Sequence, residues 1–390
     1  MTSEAITAPF LADAGLKRVL DAIEGGGDAA RVVGGAVRNS LMGVAVTDLD
    51  IATTARPEAV SERARAAGLK VVPTGIDHGT VTVVVEGRPF EVTTLRADVE
   101  TDGRRAVVAF TDDWEEDARR RDFTMNAIYV DRHGHLYDPV AGVGDARARR
   151  VRFIGEPEAR IREDYLRILR FYRFHAQYGH GPLDAAGAAA AQRLAAGMAQ
   201  LSRERVGAEL GKILLAPGRR AAVAAMAAAG VLEQAIRRAA LPERYAAVEH
   251  LAAAVGLAPD LERALAALCD DVEGVGEDLR LANRQRRRLA AIAGRAATLA
   301  EGLDEAAVRL AVYRDGNDVA EAALVLATAL AGAAVVDPAL LDLAGHWSAP
   351  RLPFRAADLM AEGLKAGPEL GAELRRRERA WIAAGYPPGR

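Results

Sequence analysis

The sequence predicts an α/β N-terminal head with a small mixed sheet, followed by an all-α C-terminal half. Three observations predict it. Up to about residue 145, strand-like and helix-like stretches alternate, separated by Gly and charged residues. Beyond that point Ala, Leu, Arg and Glu dominate, with Gly or Pro between segments of helical length. A length of 390 residues also exceeds the usual single domain.

The head elements follow in order. "ARVVGG" reads as a strand running into a turn. "AVRNSLMG" reads as a helix closed by Gly43, because glycine supplies the left-handed residue that commonly ends a helix. "DLDIATT" reads as a strand, and "PEAVSERARAAG" as a helix with Pro57 in its first turn and Gly68 at its end. "LKVVPTG", "TVTVVVEG" and "RPFEVTTL" are three further β-rich stretches. In the second half, the Ala-rich "DAAGAAAAQRLAAGMA" (184–199) reads as helix rather than linker. No internal repeat stands out.

Composition excludes several classes. Half of the residues are hydrophobic and the formal net charge is -3, which describes a folded chain and not a disordered one. The single Cys269 cannot form an intramolecular disulfide or a Cys-rich zinc site, and it fits a reducing, cytoplasmic setting. The first residues, "MTSEAITAPFLADAG", lack the basic start and apolar core of a signal peptide. The longest apolar run, 322–336, has 15 residues. A membrane span needs roughly 20, so this run reads as a buried helix, and no membrane association is expected.

Asp48 and Asp50 carry the first chemical signal. Two residues apart in a strand, they leave the same face. Adjacent carboxylates repel and raise one pKa unless a cation lies between them. Hard oxygen ligands favour Mg²⁺, and Mg²⁺ on paired aspartates is the apparatus of phosphoryl and nucleotidyl transfer. Gly34 and Gly35, just upstream, allow close approach of a phosphate, and the helix after them offers its N-terminal amides. Arg38, one turn in, is placed to neutralise phosphate oxygens. Alone, Asp-x-Asp is as readily a solvated surface strand; Gly-Gly-x-Val-Arg with Asp-x-Asp ten residues on is far rarer.

Such a site needs a third carboxylate, and Glu91 in a β-rich run is the candidate, with Asp77 and Asp98 behind it; His78 reads as a turn residue. In "DARRRDFTMNAIYVD" (117–131), Arg121 is placed to reach a triphosphate with Asp122 holding it, Asn126 to cap or hydrogen-bond locally, and Phe123, Met125 and Ile128 form an apolar side. In "IREDYLRILRFYRF" (161–174), Asp164, Arg167, Arg170 and Arg173 recur every three residues. They form a slowly drifting stripe on one helix face, with Ile161, Leu166, Leu169 and Phe174 on the other side. By itself that stripe is equally a charged surface.

Taken in order, "GGAVRN", "DLDIAT", "RRRDFTMNA" and "REDYLRILRFYRF", with "LSRERVGAEL" (201–210) beyond them, resemble the class II CCA-adding tRNA nucleotidyltransferase and bacterial poly(A) polymerase family, most closely its CCA-adding branch. The resemblance covers about residues 30–215 strongly. One departure is Asn39, where the family usually has Asp.

The resemblance implies a polymerase-β-like nucleotidyltransferase head at 1–145, a helical neck that recognises the base at 146–215, and a tRNA-binding body and tail at 216–390. It implies Asp48 and Asp50 as the metal pair. Gly35, Arg38 and Arg121 would contact the incoming nucleotide, Asp164 and Arg167 would read its base, and Arg170 and Arg173 would complete the pocket. The implied activity is template-independent addition of C, C and A to tRNA from CTP and ATP, with Mg²⁺ and without an obligate protein partner. Poly(A) addition, partial CC- or A-only addition, and a non-catalytic RNA-binding protein that kept the fold remain as alternatives. Basic clusters at 146–152, 280–289 and 375–379 suit a nucleic-acid backbone, the middle one best, through Arg284, Arg286, Arg287 and Arg288.

Overall fold

The structure, a computed structural model, describes residues 4–73, 75–76, 79–98 and 108–387. Packing divides the chain into two compact units, Met1–Leu201 and Ser202–Arg390. The mixed sheet gives way to helices after residue 142, as the composition predicts, but the helices up to residue 200 pack as one body with the sheet. The boundaries expected at 145 and 215 therefore differ from the one that packing draws at 201. Composition tracks secondary structure, whereas packing follows which faces bury one another.

Among its described residues the first unit holds nine strands. They are β1 (Ala30–Val33), β2 (Asp50–Thr53), β3 (Lys70–Val72), β4 (Thr80–Val85), β5 (Arg88–Thr94), β6 (Arg96–Asp98), β7 (Val108–Phe110), β8 (Tyr129–Val130) and β9 (Leu136–Tyr137). Seven form one sheet in the order β3-β4-β5-β2-β1-β8-β9, and β6 pairs with β7 apart from it. The sheet is mixed because β2 and β5 run parallel while every other pair in it is antiparallel. The β8–β9 hairpin was not legible in the sequence: strands of two residues are too short to display alternation.

Helices α1 (Ala14–Glu24), α2 (Gly35–Met42), α3 (Pro57–Ala66), α4 (Trp114–Arg119), α5 (Gly142–Arg147), α6 (Pro157–Glu163), α7 (Leu166–Tyr178) and α8 (Ala185–Leu194) complete this unit. Val32, Ile51, Val81, Val83 and Val92 are buried in the sheet, and Leu16, Val19, Leu20 and Ile23 are buried on α1. A second cluster gathers Val33, Ala52, Leu95, Ala118, Tyr129 and Ile154, with Trp114 and Tyr137 against it. Apolar residues on both faces fix the register, since a slip of one residue would exchange them.

Two glycines are required by geometry. Gly34 sits at φ 72°, ψ -124°, a combination open essentially to glycine alone, and it turns β1 into α2. A Cβ on Gly142 would lie 2.0 Å from the Thr124 carbonyl oxygen, so α5 can approach that loop only without a side chain.

Among its described residues the second unit has helices and no strand. The apolar run at 322–336 lies mostly in the buried helix Asn317–Leu330. No helix among the described residues is long and apolar enough to cross a membrane.

Candidate active site

The site is built at the end of the central strands. The last residue of β1, Val33, pairs with Asp50, and the chain then turns through Gly34 into α2. On its other side Asp50 pairs with Glu91 in the parallel β2–β5 ladder. The ladder starts at Asp50, so Asp48 lies just ahead of it. Alternation still holds: Leu49 is buried, and Asp48 and Asp50 are both accessible. Asp77 and His78 lie outside the described residues, as does the side chain of Asp98.

Asp50 is exposed, yet the protein around it partly desolvates its carboxyl. That desolvation raises its pKa; Glu91 and then Asp48 add to the rise, while Arg121 opposes it. Carboxylates gathered beside an Asp50 of raised pKa are the donor chemistry of a hard divalent cation. Asp48, Asp50 and Glu91 fit such an ion by type and strand register. Among the described residues, however, no group of three Asp, Glu, His or Cys stands ready to hold one.

Arg121 comes to the same place by another route. Its guanidinium lies 3.9 Å from where a Cβ on Gly34 would be. The expectation that Asp122 holds it is corrected. Asp117, one helical turn earlier, accepts from Arg121 Nη2 at 3.0 Å and from the Tyr129 hydroxyl at 2.8 Å. Burial works against the charge on Arg121, but Tyr129 and Asp117 outweigh it and its pKa is raised. The i, i+4 spacing of Asp117 and Arg121 was the signal that could have found this pair.

Asp122 instead serves the neck. It takes Arg170 Nε at 2.8 Å, the Phe123 amide at 2.8 Å and Asn126 Nδ2 at 3.1 Å. Asn126 in turn accepts from Arg38 Nη1 at 2.7 Å. Arg38 is 6% exposed and lies against the ring of Tyr178, 4.0 Å from its centroid. Burial lowers its pKa; Tyr178 opposes this, and Arg173 lowers it further. Arg173 disfavours the charge on Arg38, and an anion bound beside the glycine turn would relieve that.

The stripe at 161–174 also differs from expectation. It is not one helix: α6 ends at Glu163, Asp164 is extended at φ -154°, ψ 105°, and α7 starts at Leu166. The cause is local. Asp164 accepts from the Leu166 amide at 3.1 Å, a local side-chain-to-backbone bond that competes with a continuing helix. Ile161, Leu166, Leu169 and Phe174 are buried, as their expected apolar side requires. Arg167 reaches the Arg160 carbonyl at 2.8 Å, the Arg120 carbonyl at 3.2 Å and the Glu163 carboxylate.

The basic cluster on the helix Asn283–Glu301 divides in two. Arg288 bonds Asp260, Glu262 and Asp318, and Arg286 bonds Glu277; Arg284 and Arg287 are exposed. The expectation that Arg288 faces RNA is corrected, because three carboxylates hold its fork inside the fold. Replacing Arg288 by alanine is expected to cost about 2 kcal/mol in urea unfolding, since it strands partly buried carboxylates. The double change Arg284→Ala, Arg287→Ala is expected to leave stability within about 0.5 kcal/mol while weakening RNA retention and flattening its salt dependence. Equal RNA binding by the double variant and its parent would remove this surface from consideration.

The chain has relatives with names. Residues 30–152 match the family described as the Poly A polymerase head domain. The chain is 34% identical over 387 residues to CCA tRNA nucleotidyltransferase 1, mitochondrial, of Mus musculus, covering 95% of this chain and 87% of that one. A match to the Danio rerio protein of the same name is 45% identical over 188 residues, 47% of this chain and 44% of that one. Among solved structures, the Bacillus stearothermophilus CCA-adding enzyme in complex with CTP superposes with a TM-score of 0.79 at 29% identity, over 97% of this chain and 94% of that one.

Proposed function

Since this chain belongs to the CCA-adding tRNA nucleotidyltransferase family, we propose that it adds C, C and A to the 3′ end of tRNA, without a nucleic-acid template, from CTP and ATP with release of pyrophosphate. The observation that carries the reading is the placement of Asp50 beside Glu91, at the foot of a glycine turn flanked by Arg38 and Arg121.

Each residue then has a task. Arg38 and Arg121, with the amides that open α2, hold the triphosphate so that its α-phosphorus faces the tRNA 3′-hydroxyl for in-line attack. Asp48 and Asp50, with Glu91, would hold Mg²⁺, which when bound supplies Lewis-acid stabilisation of the attacking and leaving oxygens. Asp164 and Arg167 read the base, and Arg170 and Arg173 close the pocket behind it. Arg167 gives up part of its hold on Glu163 and the carbonyls when a base arrives. Arg284 and Arg287 are assigned to the tRNA backbone. Buried Cys269 supports a cytoplasmic location; cell fractionation separates this from the organelle named in the mouse relative.

The test is incubation with tRNA lacking its 3′ CCA. CTP alone should add the two C residues, CTP with ATP should complete the end, and UTP or GTP should add nothing. No addition under any condition sinks the reading. Long A tails on unrelated RNAs would make it a poly(A) polymerase. Addition of C without A, or of A only to an end already carrying both C residues, would make it a partial enzyme.

A further inference from the structure

Arg38 is among the most buried charged residues of the head, yet no carboxylate among the described residues accepts a hydrogen bond from it. Two amides hold it. Asn39 Oδ1 accepts from Nε at 3.1 Å and from Nη2 at 2.8 Å, and Asn126 Oδ1 accepts from Nη1 at 2.7 Å.

An amide can present either its oxygen or its NH₂ group, so something must set which one faces Arg38. In both cases a partner that can only accept does so. Asn39 Nδ2 donates to the Ala45 carbonyl at 2.8 Å, and Asn126 Nδ2 donates to the Asp122 carboxylate at 3.1 Å. With each nitrogen committed, each oxygen must turn to the guanidinium.

The amides take three of the five guanidinium N–H groups and the Tyr178 side chain lies against the fork as a further partner, so at most one N–H on each Nη is open to a ligand. Nη2 lies 3.7 Å from where a Cβ on Gly35 would be, over the first turn of α2. Asn39 also joins two parts of the site, because Ala45 belongs to the segment that leads into Asp48.

We propose that Asn39 is a positioning residue for nucleotide binding: by holding Nε and Nη2 it aims the open N–H groups of Arg38 at the triphosphate of the incoming nucleotide. The proposal rests on the nucleotidyl-transfer reading above. Because the phosphates of CTP and ATP are alike, its effect is the same for both nucleotides and falls on binding.

The test compares Asn39→Ala with Asn39→Asp, measuring CTP and ATP affinity by calorimetry, KM and kcat for addition, and the melting temperature. Asn39→Ala is expected to weaken both nucleotides about tenfold, the scale of one hydrogen bond to a charged group, with kcat within about threefold of the parent. Asn39→Asp keeps an acceptor on Nε and Nη2, loses the donor to Ala45 and adds a negative charge beside Arg38. It is expected to bring both affinities back to within about threefold of the parent. If Asn39→Ala melts early, Asn39→Gln displaces the same oxygen by one methylene and is expected to show the same loss in binding.

Parent-like affinity in Asn39→Ala overturns the proposal. So does an Asn39→Asp protein as weak as Asn39→Ala, which would place the effect outside the acceptor on Nε and Nη2. A parent that binds and adds no nucleotide would instead sink the functional reading, so the two failures are distinct.

Discussion

Replacing Asp48 or Asp50 by alanine is expected to abolish incorporation of both CTP and ATP while tRNA binding stays within about twofold of the parent. The reason is the charge around β2. Asp50 carries a raised pKa because it is crowded by protein and faces Glu91 and Asp48. A fold tolerates such repulsion where a cation repays it during function. Removing either aspartate removes a ligand and leaves the Arg38–Arg121 side intact, so substrates still bind and the chemical step fails. The expected rate loss is at least about a thousandfold, near 4 kcal/mol of barrier. Glu91→Gln is expected to follow, because Glu91 is the strand neighbour of Asp50. A variant of Asp48 or Asp50 keeping more than about a tenth of the parent rate, under ~1.4 kcal/mol, would defeat their assignment as metal ligands.

The second large effect is on base choice. Asp164→Asn or Asp164→Ala is expected to lower the preference for C and A over U and G by about ten- to a hundredfold, the cost of one or two buried groups left unpaired. C and A offer an amino group beside a ring-nitrogen acceptor, whereas U and G offer a carbonyl beside an N–H. A carboxylate only accepts and an arginine only donates, so Asp164 and Arg167 match the first edge and conflict with the second. Asp164 also accepts from the Leu166 amide, so truncation to alanine weakens the start of α7. Asn keeps an oxygen for that amide and is the cleaner variant. The measurement is single-nucleotide addition with each triphosphate on a tRNA ending at its discriminator base. An equal slowing of all four in Asp164→Asn would show that Asp164 acts through structure, and the base would then be read elsewhere.

Much of this protein could be read before any coordinate. The strand-turn-helix from Ala30 to Gly43 followed from Gly34, Gly35 and Gly43, because only glycine takes the positive φ at two of those positions without strain. The helix at 57–66 followed from Pro57 and Gly68, and the helical second half from its Ala- and Leu-rich periodicity. These are local properties: capping, φ restriction and the periods of 2 and 3.6 act within a few residues. The stripe at 161–174 shows where periodicity overreaches. Its three-residue spacing looked like one helix, but the chain is extended at Asp164 between two helices.

The sequence by itself determined the element order of the head, the helical character of the rest and the stock of chemical groups: a glycine turn, two aspartates with one residue between them, and arginines at helical spacing. Only the tertiary structure decided which of those groups meet. Glu91 comes beside Asp50 because β5 joins β2 in parallel across about 40 intervening residues, a pairing no local rule selects. Asp117 rather than Asp122 holds Arg121, and Asp122 is left to join Arg170 to Asn126. Arg288 was one of four similar arginines until packing surrounded it with Asp260, Glu262 and Asp318. The physical reason is the same in each case. A charged side chain has several possible partners along the chain, and the burial of apolar faces, which draws elements together, decides which of them lies within 3 Å or so of it.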